Sequence, residues 1–246
     1  VIGRYYLENR SNISYENIPV NMRQALMATE DVRFFEHTGV DLRALLRVVK
    51  GVVTGDSQGG GSTVTQQLAK NLFHDDFEKA GRIRRMMQKL KEWVLAAKLE
   101  RTFTKEEIIN LYLNTVEFGS LSYGIKTASF TYFYKDPKDL KPEEAALLIA
   151  IVNAPSYLNP KRHPERAIVR RNLVLDRMVE SKIITAAEGD KLKKQEIKLN
   201  YHSPDYRTGL ATHFREYLRQ ELQAWCDKNP KPDGSKWNIY EDGLKV

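Results

Sequence analysis

The sequence predicts a mainly α-helical protein. Apolar residues recur at helical spacing in several segments, most clearly between Asp41 and Val53. Thr104 and Glu107 form a typical helix start, because a threonine N-cap and a glutamate three residues later satisfy each other's backbone N–H groups. No segment sustains the apolar–polar alternation of a half-buried strand, so any β-sheet is expected to be minor.

The helical segments follow one another along the middle of the chain. A run with apolar residues at helical spacing extends from Ile18 to Met27. Pro142 and Pro164 stand at predicted first helical positions, and Thr185 is a further predicted N-cap. We therefore assign residues 18–199 to one helical domain.

The two ends of the chain differ from this domain. Residues 1–17 are predicted to form an extended N-terminal arm. Proline, serine, aspartate and aromatic residues at 200–207 predict a linker. A helix from about 209 to 226 follows, and 237–246 look like the beginning of a β-strand.

The composition limits the classes of protein to which this chain can belong. The 246 residues include 39 Lys and Arg against 32 Asp and Glu, a formal net charge of +7. A basic excess suits nucleic acid, an anionic membrane or a phosphorylated substrate, and alone does not decide among them. Apolar residues form 41% of the chain, which excludes a disordered protein. A single cysteine, Cys226, allows no internal disulfide. No run approaches the ~20 apolar residues that span a bilayer.

The basic residues are concentrated between Lys79 and Lys105. Nine lysines and arginines stand there against Glu92 and Glu100, with apolar residues interleaved. This pattern predicts a basic amphipathic helix with two interpretations of equal weight. The helix either lies against anionic lipid or packs its apolar face into the protein core. No recognised nucleic-acid motif is present, so no nucleic-acid partner is expected.

A glycine-rich segment gives the clearest binding signal. Glycines at 59–61 let the backbone approach a ligand closely. Thr63 then provides an N-cap, and Gln66 completes a capping box. The positive end of the helix dipole predicts a site for phosphate or pyrophosphate, to which Lys70 adds a formal charge. A surface loop before an ordinary capped helix is the plainer alternative. A P-loop is disfavoured because no Gly-Lys-[Ser/Thr] ending follows.

A second cluster precedes the glycines, at the end of the first helical run. Glu30 and Asp31 stand close to Phe34, Phe35 and His37. A carboxylate held against aromatic surface has its charged form disfavoured, as suits a general base. Taken alone, such carboxylates are usually solvated and such a histidine is usually structural. The cluster therefore gains its weight from the glycine segment that follows.

Five motifs in order carry a resemblance to a known family. The first two read Glu30-Asp31-x-x-Phe34-x-x-His37-x-Gly39 and Gly60-Gly61-Ser62-Thr63-x-Thr65-Gln66-Gln67-x-x-Lys70-Asn71. The others are Lys89-x-x-Glu92 with Ala96 and Leu99-Glu100, Leu111-Tyr112-Leu113-Asn114 with Gly119, and Ala145 to Leu148 with Asn153 to Ser156 and Asn159-Pro160. From about Ile18 to Leu199 the chain resembles the glycosyltransferase domain of class A penicillin-binding proteins and monofunctional peptidoglycan glycosyltransferases.

The resemblance implies a transferase that polymerises lipid II. The 4-hydroxyl of an incoming GlcNAc would attack the anomeric carbon of the growing chain and release undecaprenyl pyrophosphate. The β-1,4 glycan would form with inversion in a single displacement. Such chemistry needs a general base and a cationic site for the pyrophosphate. Glu30 is implied as the base. Glu92 is the second catalytic carboxylate, which either orients Lys89 or holds a divalent cation.

The resemblance also implies the substrate contacts. The substrate-binding residues would be Asp31, Ser62, Thr63, Gln66, Gln67, Lys70, Asn71 and Lys89. His37 is expected to support the base loop, and Asn114 to be a buried amide that ties helix ends together. The resemblance implies no cofactor with certainty, and it leaves a divalent cation, Mg²⁺ or Mn²⁺, open at Glu92. No set of metal ligands is assigned.

The implied fold is a lysozyme-like, two-lobed helical domain with a small membrane-proximal jaw lobe around residues 72–87. Apolar side chains of that lobe would enter lipid: Phe73, Phe77, Ile83, Met86 and Met87. The domain would stand on the periplasmic face of the cell inner membrane, with its anchor helix absent from this chain. Residues 200–246 would form a linker helix and the start of a truncated transpeptidase-side region. Lipid II, the growing glycan, the membrane surface and cell wall synthesis proteins are the implied partners.

Two residues depart from the family pattern. Gln88 stands where the third motif usually has arginine, a charge that Arg84 or Arg85 could supply. Glu117 stands where the family usually has an aromatic or apolar residue. Two other functions stay open: a lysozyme-like muramidase or lytic transglycosylase, and a non-catalytic module that binds lipid-linked glycan or nucleic acid.

Overall fold

A computed structural model describes residues 9–47, 60–73, 82–202, 212–239 and 242, which are mainly α-helical, as predicted. The helices are α1 (Val20–Glu30), α2 (residues 42–47), α3 (Val64–Leu72), α4 (Arg82–Thr102), α5 (Lys105–Thr115), α6 (Ile125–Phe133), α7 (Pro142–Val152), α8 (Pro164–Glu180), α9 (Ala186–Lys193) and α10 (Thr212–Lys228). Short 3-10 helices cover Tyr15–Asn17, Phe34–Glu36 and Pro137–Asp139, and the two-residue strands are β1 (Asn9–Arg10) and β2 (Ser122–Tyr123).

The chain divides into two compact units. The larger extends from Arg10 to His202 and contains α1 to α9. The smaller contains α10 and the described residues after it. The proposed domain limits at 17/18 and 199/200 stay a prediction.

Helix α7 is the centre of the larger unit. All of its residues from Ala145 to Ile151 are buried, so the helix is apolar on every side. Helices α1 and α8 pack against it, with Met22 and Leu26 from α1 and Val174 from α8 in the core. Burying each such side chain contributes about 1.5–3 kcal/mol. This packing fixes the carboxyl end of α1, where Glu30 lies.

Predicted helix starts are confirmed at three places. Thr63 with Gln66, Thr104 with Glu107 and Thr185 with Glu188 all form reciprocal capping boxes. Helix α3 also packs against α4 and α5. The beginning of α3 is therefore fixed both by its cap and by its neighbours.

The predicted ends of the chain are described only in part. Residues 9–17 contain β1 and a 3-10 helix, whereas 1–8 lie outside the described residues. Helix α10 was predicted at about 209–226 and is present over Thr212–Lys228. Most of the predicted linker and most of the predicted strand at 237–246 also lie outside the described residues.

The basic stretch forms α4, whose two faces are clearly distinct. Glu92, Ala96 and Leu99 face inward. In contrast Met86, with 63% of its surface exposed, and the similarly exposed Met87, Leu90 and Val94 face outward. For these four residues the core interpretation is wrong. Phe73 is exposed too, while Phe77 and the Ile83 side chain are not described, and the jaw lobe stays a prediction. Among the described helices, none has both the length and the apolarity to cross a bilayer.

Candidate active site

A cleft of about 780 Å³ lies in the larger unit, between the end of α1, the segment before α3, α3 itself, α4 and α8. The predicted site residues that it brings together are up to 62 positions apart in the chain, from Glu30 to Glu92. All of the predicted site residues line it: Glu30, Asp31, Ser62, Thr63, Gln66, Gln67, Lys70, Asn71, Lys89 and Glu92.

Glu30 is the last residue of α1, and α3 positions its carboxylate. Gln67, on the first turns of α3, donates from Nε2 to Glu30 Oε2 at 2.8 Å. The other end of the same amide, Oε1, accepts from the Tyr112 hydroxyl at 2.8 Å. Gln67 is therefore engaged with the candidate base, in addition to lining the cleft.

Asp31 organises the loop after the base. Its carboxylate accepts from His37 Nε2 at 3.0 Å and from the Val64 backbone N–H at 3.1 Å. The Gly39 N–H donates to His37 Nδ1, so Nδ1 accepts and the ring proton lies on Nε2. These contacts join the first motif to the beginning of α3. The supporting role expected for His37 agrees with this geometry.

The amino end of α3 differs from the anion site that its sequence suggested. Val64 N–H is bonded to Asp31, and Gln66 N–H to the Thr63 hydroxyl. The Thr63 N–H donates to Gln66 Oε1, and the Thr63 hydroxyl donates to Gly39 O at 2.6 Å. These three N–H groups are therefore already bonded within the protein, and the side chains of the cleft are the further candidates for anion binding. Asp31, Thr63 and Gln66 shape the cleft wall.

The cationic end of the cleft is built around Lys89. Its Nζ donates to Ser62 Oγ at 2.9 Å and to Glu92 Oε2 at 2.7 Å. Lys70 and Asn71 are exposed at the end of α3, facing the same cleft. This contact fits the orienting role for Glu92, one of the two roles left open for it, and both roles stay predictions. Within the described residues, no group of three or more His, Cys, Asp or Glu side chains could hold a metal ion.

A second group of cations was missed by the sequence analysis. Arg170 and Arg177 on α8 line the cleft, about a hundred residues after the basic motifs. Arg170 Nε is buried and, within the described part of the chain, has no hydrogen-bond partner. Arg177 pairs with Glu180 at 2.8 Å. Their seven-residue spacing on one helix face was the available signal.

A partly buried ion pair between Glu100 and Lys105 connects the motifs outside the cleft lining. Glu100 accepts from the Thr65 hydroxyl at 2.6 Å and from Lys105 Nζ at 2.8 Å. Lys105 also donates to His37 O and lies 4.3 Å from the centre of the Phe34 ring. Several residues of the family motifs, Thr65 and Glu100 among them, thus make structural contacts.

Asn114 is such a residue, as expected. Its amide donates to Ile13 O and to Asn110, and its carbonyl accepts from Ile13 N.

Phe34 is buried and packs edge-on against Phe35, and neither phenylalanine is among the described residues that line the cleft. Their effect on Glu30 stays a prediction.

Neither of the two departures from the family pattern is among the described residues that line the cleft. Glu117 is exposed and forms a backbone bridge with Tyr123, and it is not among the described residues that line the cleft. Gln88 is half-buried on α4, next to Lys89. The side chains of Arg84 and Arg85 lie outside the described residues, so their compensating role stays a prediction.

Comparison with known proteins identifies the class. The family model described as "Transglycosylase" matches residues 1–179, and the chain belongs to that family. The family prediction and the prediction of a peptidoglycan glycosyltransferase enzyme are thereby confirmed.

The relatives are penicillin-binding proteins. Penicillin-binding protein 1A of Escherichia coli is 36% identical over 247 residues, covering 100% of this chain and 27% of that protein. Penicillin-binding protein 1A of Aquifex aeolicus is 45% identical over 188 residues, covering 74% and 25%. Penicillin-binding protein 1F of Bacillus subtilis is 40% identical over 190 residues, covering 76% and 26%. The chain thus spans about a quarter of the length of these relatives.

A solved structure shows the same fold. The crystal structure of penicillin-binding protein 1A from Haemophilus influenzae matches 96% of this chain and 24% of its own, with a TM-score of 0.51 and 21% identity. The helical, lysozyme-like fold class is confirmed by this likeness and by the helices described above.

Proposed function

We propose that this chain polymerises lipid II into β-1,4-linked glycan and releases undecaprenyl pyrophosphate. The observation that carries the proposal is the composition of the cleft. A carboxylate, Glu30, and the ammonium groups of Lys70 and Lys89 line the same cleft. This is the pairing of base and cations that displacement of a pyrophosphate from a sugar needs.

The proposed step is a single displacement with inversion. The 4-hydroxyl oxygen of the acceptor GlcNAc forms a bond to the anomeric carbon of the donor, and Glu30 takes the hydroxyl proton. The bond from the anomeric carbon to the pyrophosphate oxygen breaks, and its electron pair leaves with the pyrophosphate. Lys89 and Lys70 stabilise the negative charge that develops there.

The position of the α8 arginines favours the binding of two lipid-linked substrates in one cleft. Donor and acceptor each carry a pyrophosphate, so a polymerase needs cations at two places. Arg170 and Arg177 lie on α8, whereas Lys70 and Lys89 lie on α3 and α4. A buried guanidinium N–H such as Arg170 Nε is costly to leave without an acceptor, which a substrate oxygen would provide.

The test is incubation of the purified chain with labelled lipid II and, separately, with preformed glycan strands. Polymer from lipid II that disappears in Glu30→Gln is the expected result, with Glu36→Gln as the control. Glu36 is an exposed glutamate six residues further along. Cleavage of preformed strands without polymerisation would replace the proposal by the muramidase or lytic alternative. Binding of lipid II without either reaction would indicate a binding module.

No cofactor is assigned to this reaction. Glu92 is already paired with Lys89, an arrangement that suits orientation of the lysine better than coordination of a divalent cation. We expect turnover to survive removal of Mg²⁺ and Mn²⁺ by EDTA. If EDTA abolished turnover in the wild type and Mg²⁺ restored it there but not in Glu92→Gln, the cation role would replace the orienting role.

The outward face of α4 is the proposed membrane contact. Met86, Met87, Leu90 and Val94 form an exposed apolar stripe on a helix rich in lysine and arginine, a pattern that binds anionic lipid surfaces. It would hold the cleft near a lipid-linked substrate, on the periplasmic face of the inner membrane and among other cell wall synthesis proteins.

Flotation with phosphatidylglycerol vesicles tests this contact. The triple change Met86→Gln, Met87→Gln and Leu90→Gln should reduce the bound fraction several-fold. Val169→Gln is the matched control, because Val169 is an equally exposed apolar residue on α8. Equal binding by the triple variant and the wild type would remove α4 from the membrane contact.

A further inference from the structure

Tyr112 lies behind the candidate base, in the core. It is on α5 with 0% of its surface exposed, and its hydroxyl donates to Gln67 Oε1 at 2.8 Å. Gln67 Nε2 in turn donates to Glu30 Oε2 at 2.8 Å. The three side chains form a hydrogen-bonded chain that extends from the buried interior to the cleft.

The direction of every bond in this chain is fixed from its carboxylate end. An ionised carboxylate only accepts, so Gln67 presents its NH₂ group to Glu30 and its carbonyl to Tyr112. A carbonyl also only accepts, so the Tyr112 hydroxyl is the donor. Burial, and secondly the charge of Glu30, raise the pKa of the Tyr112 hydroxyl well above its ordinary value, so the hydroxyl keeps its proton.

We propose that Tyr112, acting through Gln67, is a positioning residue that holds Glu30 Oε2 and assigns Oε1 as the oxygen that receives the acceptor's proton. This inference rests on the proposed function, because it assigns different roles to the two carboxylate oxygens of Glu30 in the same reaction. Among the described residues, none donates a hydrogen bond to Oε1, whereas Oε2 is bonded to Gln67. The acceptor O–H bond breaks and an O–H bond forms at Oε1, while Oε2 keeps its bond to the amide.

The Tyr112 hydroxyl anchors the buried end of the Gln67 amide. Without it, the Gln67 carbonyl loses its hydrogen-bond donor, and a buried acceptor without a partner is costly. The side chain would then shift toward another donor and draw its NH₂ group away from Glu30 Oε2. The carboxylate would lose this support and move away from its productive position, where a misplacement of about 1 Å can cost about 100-fold in rate.

The chain offers a matched control. Tyr132 is also fully buried, and its hydroxyl donates to Phe118 O at 2.8 Å, away from the cleft-lining residues. Tyr112→Phe and Tyr132→Phe each remove one buried hydroxyl. The Tyr132 hydroxyl also contacts Ser120 Oγ at 3.4 Å and accepts from Asn159 Nδ2 at 3.3 Å, so its removal breaks at least as many hydrogen bonds as the removal of the Tyr112 hydroxyl. With labelled lipid II, we expect Tyr112→Phe to lower kcat about 10-fold and to leave KM within about twofold. Tyr132→Phe should change neither. Equal losses of kcat in both variants would show a merely structural role and overturn the proposal.

A double-mutant cycle tests whether Tyr112 acts through Gln67. If it does, Tyr112→Phe combined with Gln67→Met should lower kcat no further than Gln67→Met alone. Losses that multiply would show that the tyrosine acts independently of the amide, and would overturn the positioning route.

A second measurement is independent of activity. In a chain labelled with ¹⁵N-glutamine, the Gln67 side-chain amide resonances are assigned by their loss in Gln67→Met. Tyr112→Phe should move both proton resonances, and Tyr132→Phe should not. Unmoved resonances in Tyr112→Phe would overturn the hydrogen-bonded chain. If the wild type made no polymer, the proposed function and the positioning role would fall together, while the amide spectrum would still decide whether the chain of hydrogen bonds exists.

Discussion

The candidate base of the cleft, Glu30, and its cation Lys89 are held in different ways. We call the surroundings of Glu30 the base end and those of Lys89 the cationic end. At the base end, Glu30 is bonded to a neutral amide that is itself bonded to Tyr112, a residue with 0% of its surface exposed. At the cationic end, Lys89 is held by Ser62 and by an ion pair with Glu92, and 43% of the lysine side chain is exposed.

This difference fits the chemistry that each end has to perform. A buried hydrogen bond costs about 1–3 kcal/mol to leave unmade, so the base is held firmly. The ion pair of Lys89 with Glu92 is exposed on its lysine side and buried on its glutamate side, so the Lys89 ammonium has room to turn toward a pyrophosphate while Glu92 stays in place. Proton transfer requires a fixed carboxylate, whereas a departing pyrophosphate moves and is better served by a cation that can follow it. The cleft thus combines a rigid end with an adaptable end.

The largest expected effect comes from the rigid end. Glu30→Gln should lower kcat about 10²–10⁴-fold, the usual contribution of a general base, because an amide cannot accept the proton. KM for lipid II should change little, since the amide keeps the shape of the carboxylate. Initial rates of polymer formation measure both constants. Near-normal turnover in a folded Glu30→Gln protein would remove Glu30 from the mechanism.

At the adaptable end, substitution of Lys89 should mainly weaken the binding of lipid II. Lys89→Ala removes a charge-assisted contact to the pyrophosphate and should raise KM about 10–100-fold, corresponding to about 1.5–3 kcal/mol. Lys98→Ala is the control, because Lys98 is an exposed lysine on the same helix and is not among the cleft-lining residues described. An equal response to the two changes would reduce the role of Lys89 to general surface charge.

A smaller effect should appear in stability at the beginning of α3. Thr63→Ala removes an N-cap and also the bond from its hydroxyl to Gly39 O. Thr185→Ala removes a capping box in which the partner glutamate is exposed. Loss of a threonine cap costs about 0.5–2 kcal/mol, and we expect Thr63→Ala at the upper end and Thr185→Ala near the middle. Urea unfolding compares the two, and an equal cost would contradict a special role for the Thr63 cap.

The smallest effect concerns alkaline pH. Burial raises the pKa of Tyr132 to about 12 and that of Tyr112 well above its ordinary value. Unfolded tyrosine titrates near pH 10, so above about pH 10 the unfolded chain loses protons that the folded chain keeps. The stability from these raised pKa values is therefore complete below about pH 10 and is lost as the pH rises through the folded values. The unfolding free energies of the wild type and Tyr132→Phe should differ by a constant amount below about pH 10, and that of the variant should fall less steeply above about pH 10. Identical slopes above that pH would contradict the shift.

The sequence predicts the local parts of this site well. Capping boxes such as Thr63 with Gln66 depend on residues three positions apart, so they are visible in the chain itself. The family motifs likewise place Glu30 and Lys89 in one site, and the structure brings both into the same cleft.

What the sequence could not predict depends on contacts between distant segments. The Asp31 carboxylate accepts a hydrogen bond from the Val64 N–H, 33 residues further along the chain, so this N–H is not free for the anion that the sequence suggested. Tyr112 reaches Gln67 across 45 residues, and no local pattern marks a tyrosine in an apolar helix as a hydrogen-bond donor to a site. Arg170 enters the cleft only because α8 packs against α1 and α7. Such roles follow from tertiary packing.

The most direct test of the account is a parallel measurement of kcat and KM for lipid II in Glu30→Gln and Lys89→Ala. The account predicts that the two variants separate: the first loses kcat at nearly constant KM, and the second raises KM with a much smaller change in kcat. If both changes lowered the same constant by similar factors, the division between a rigid proton-accepting end and an adaptable pyrophosphate-binding end would be contradicted.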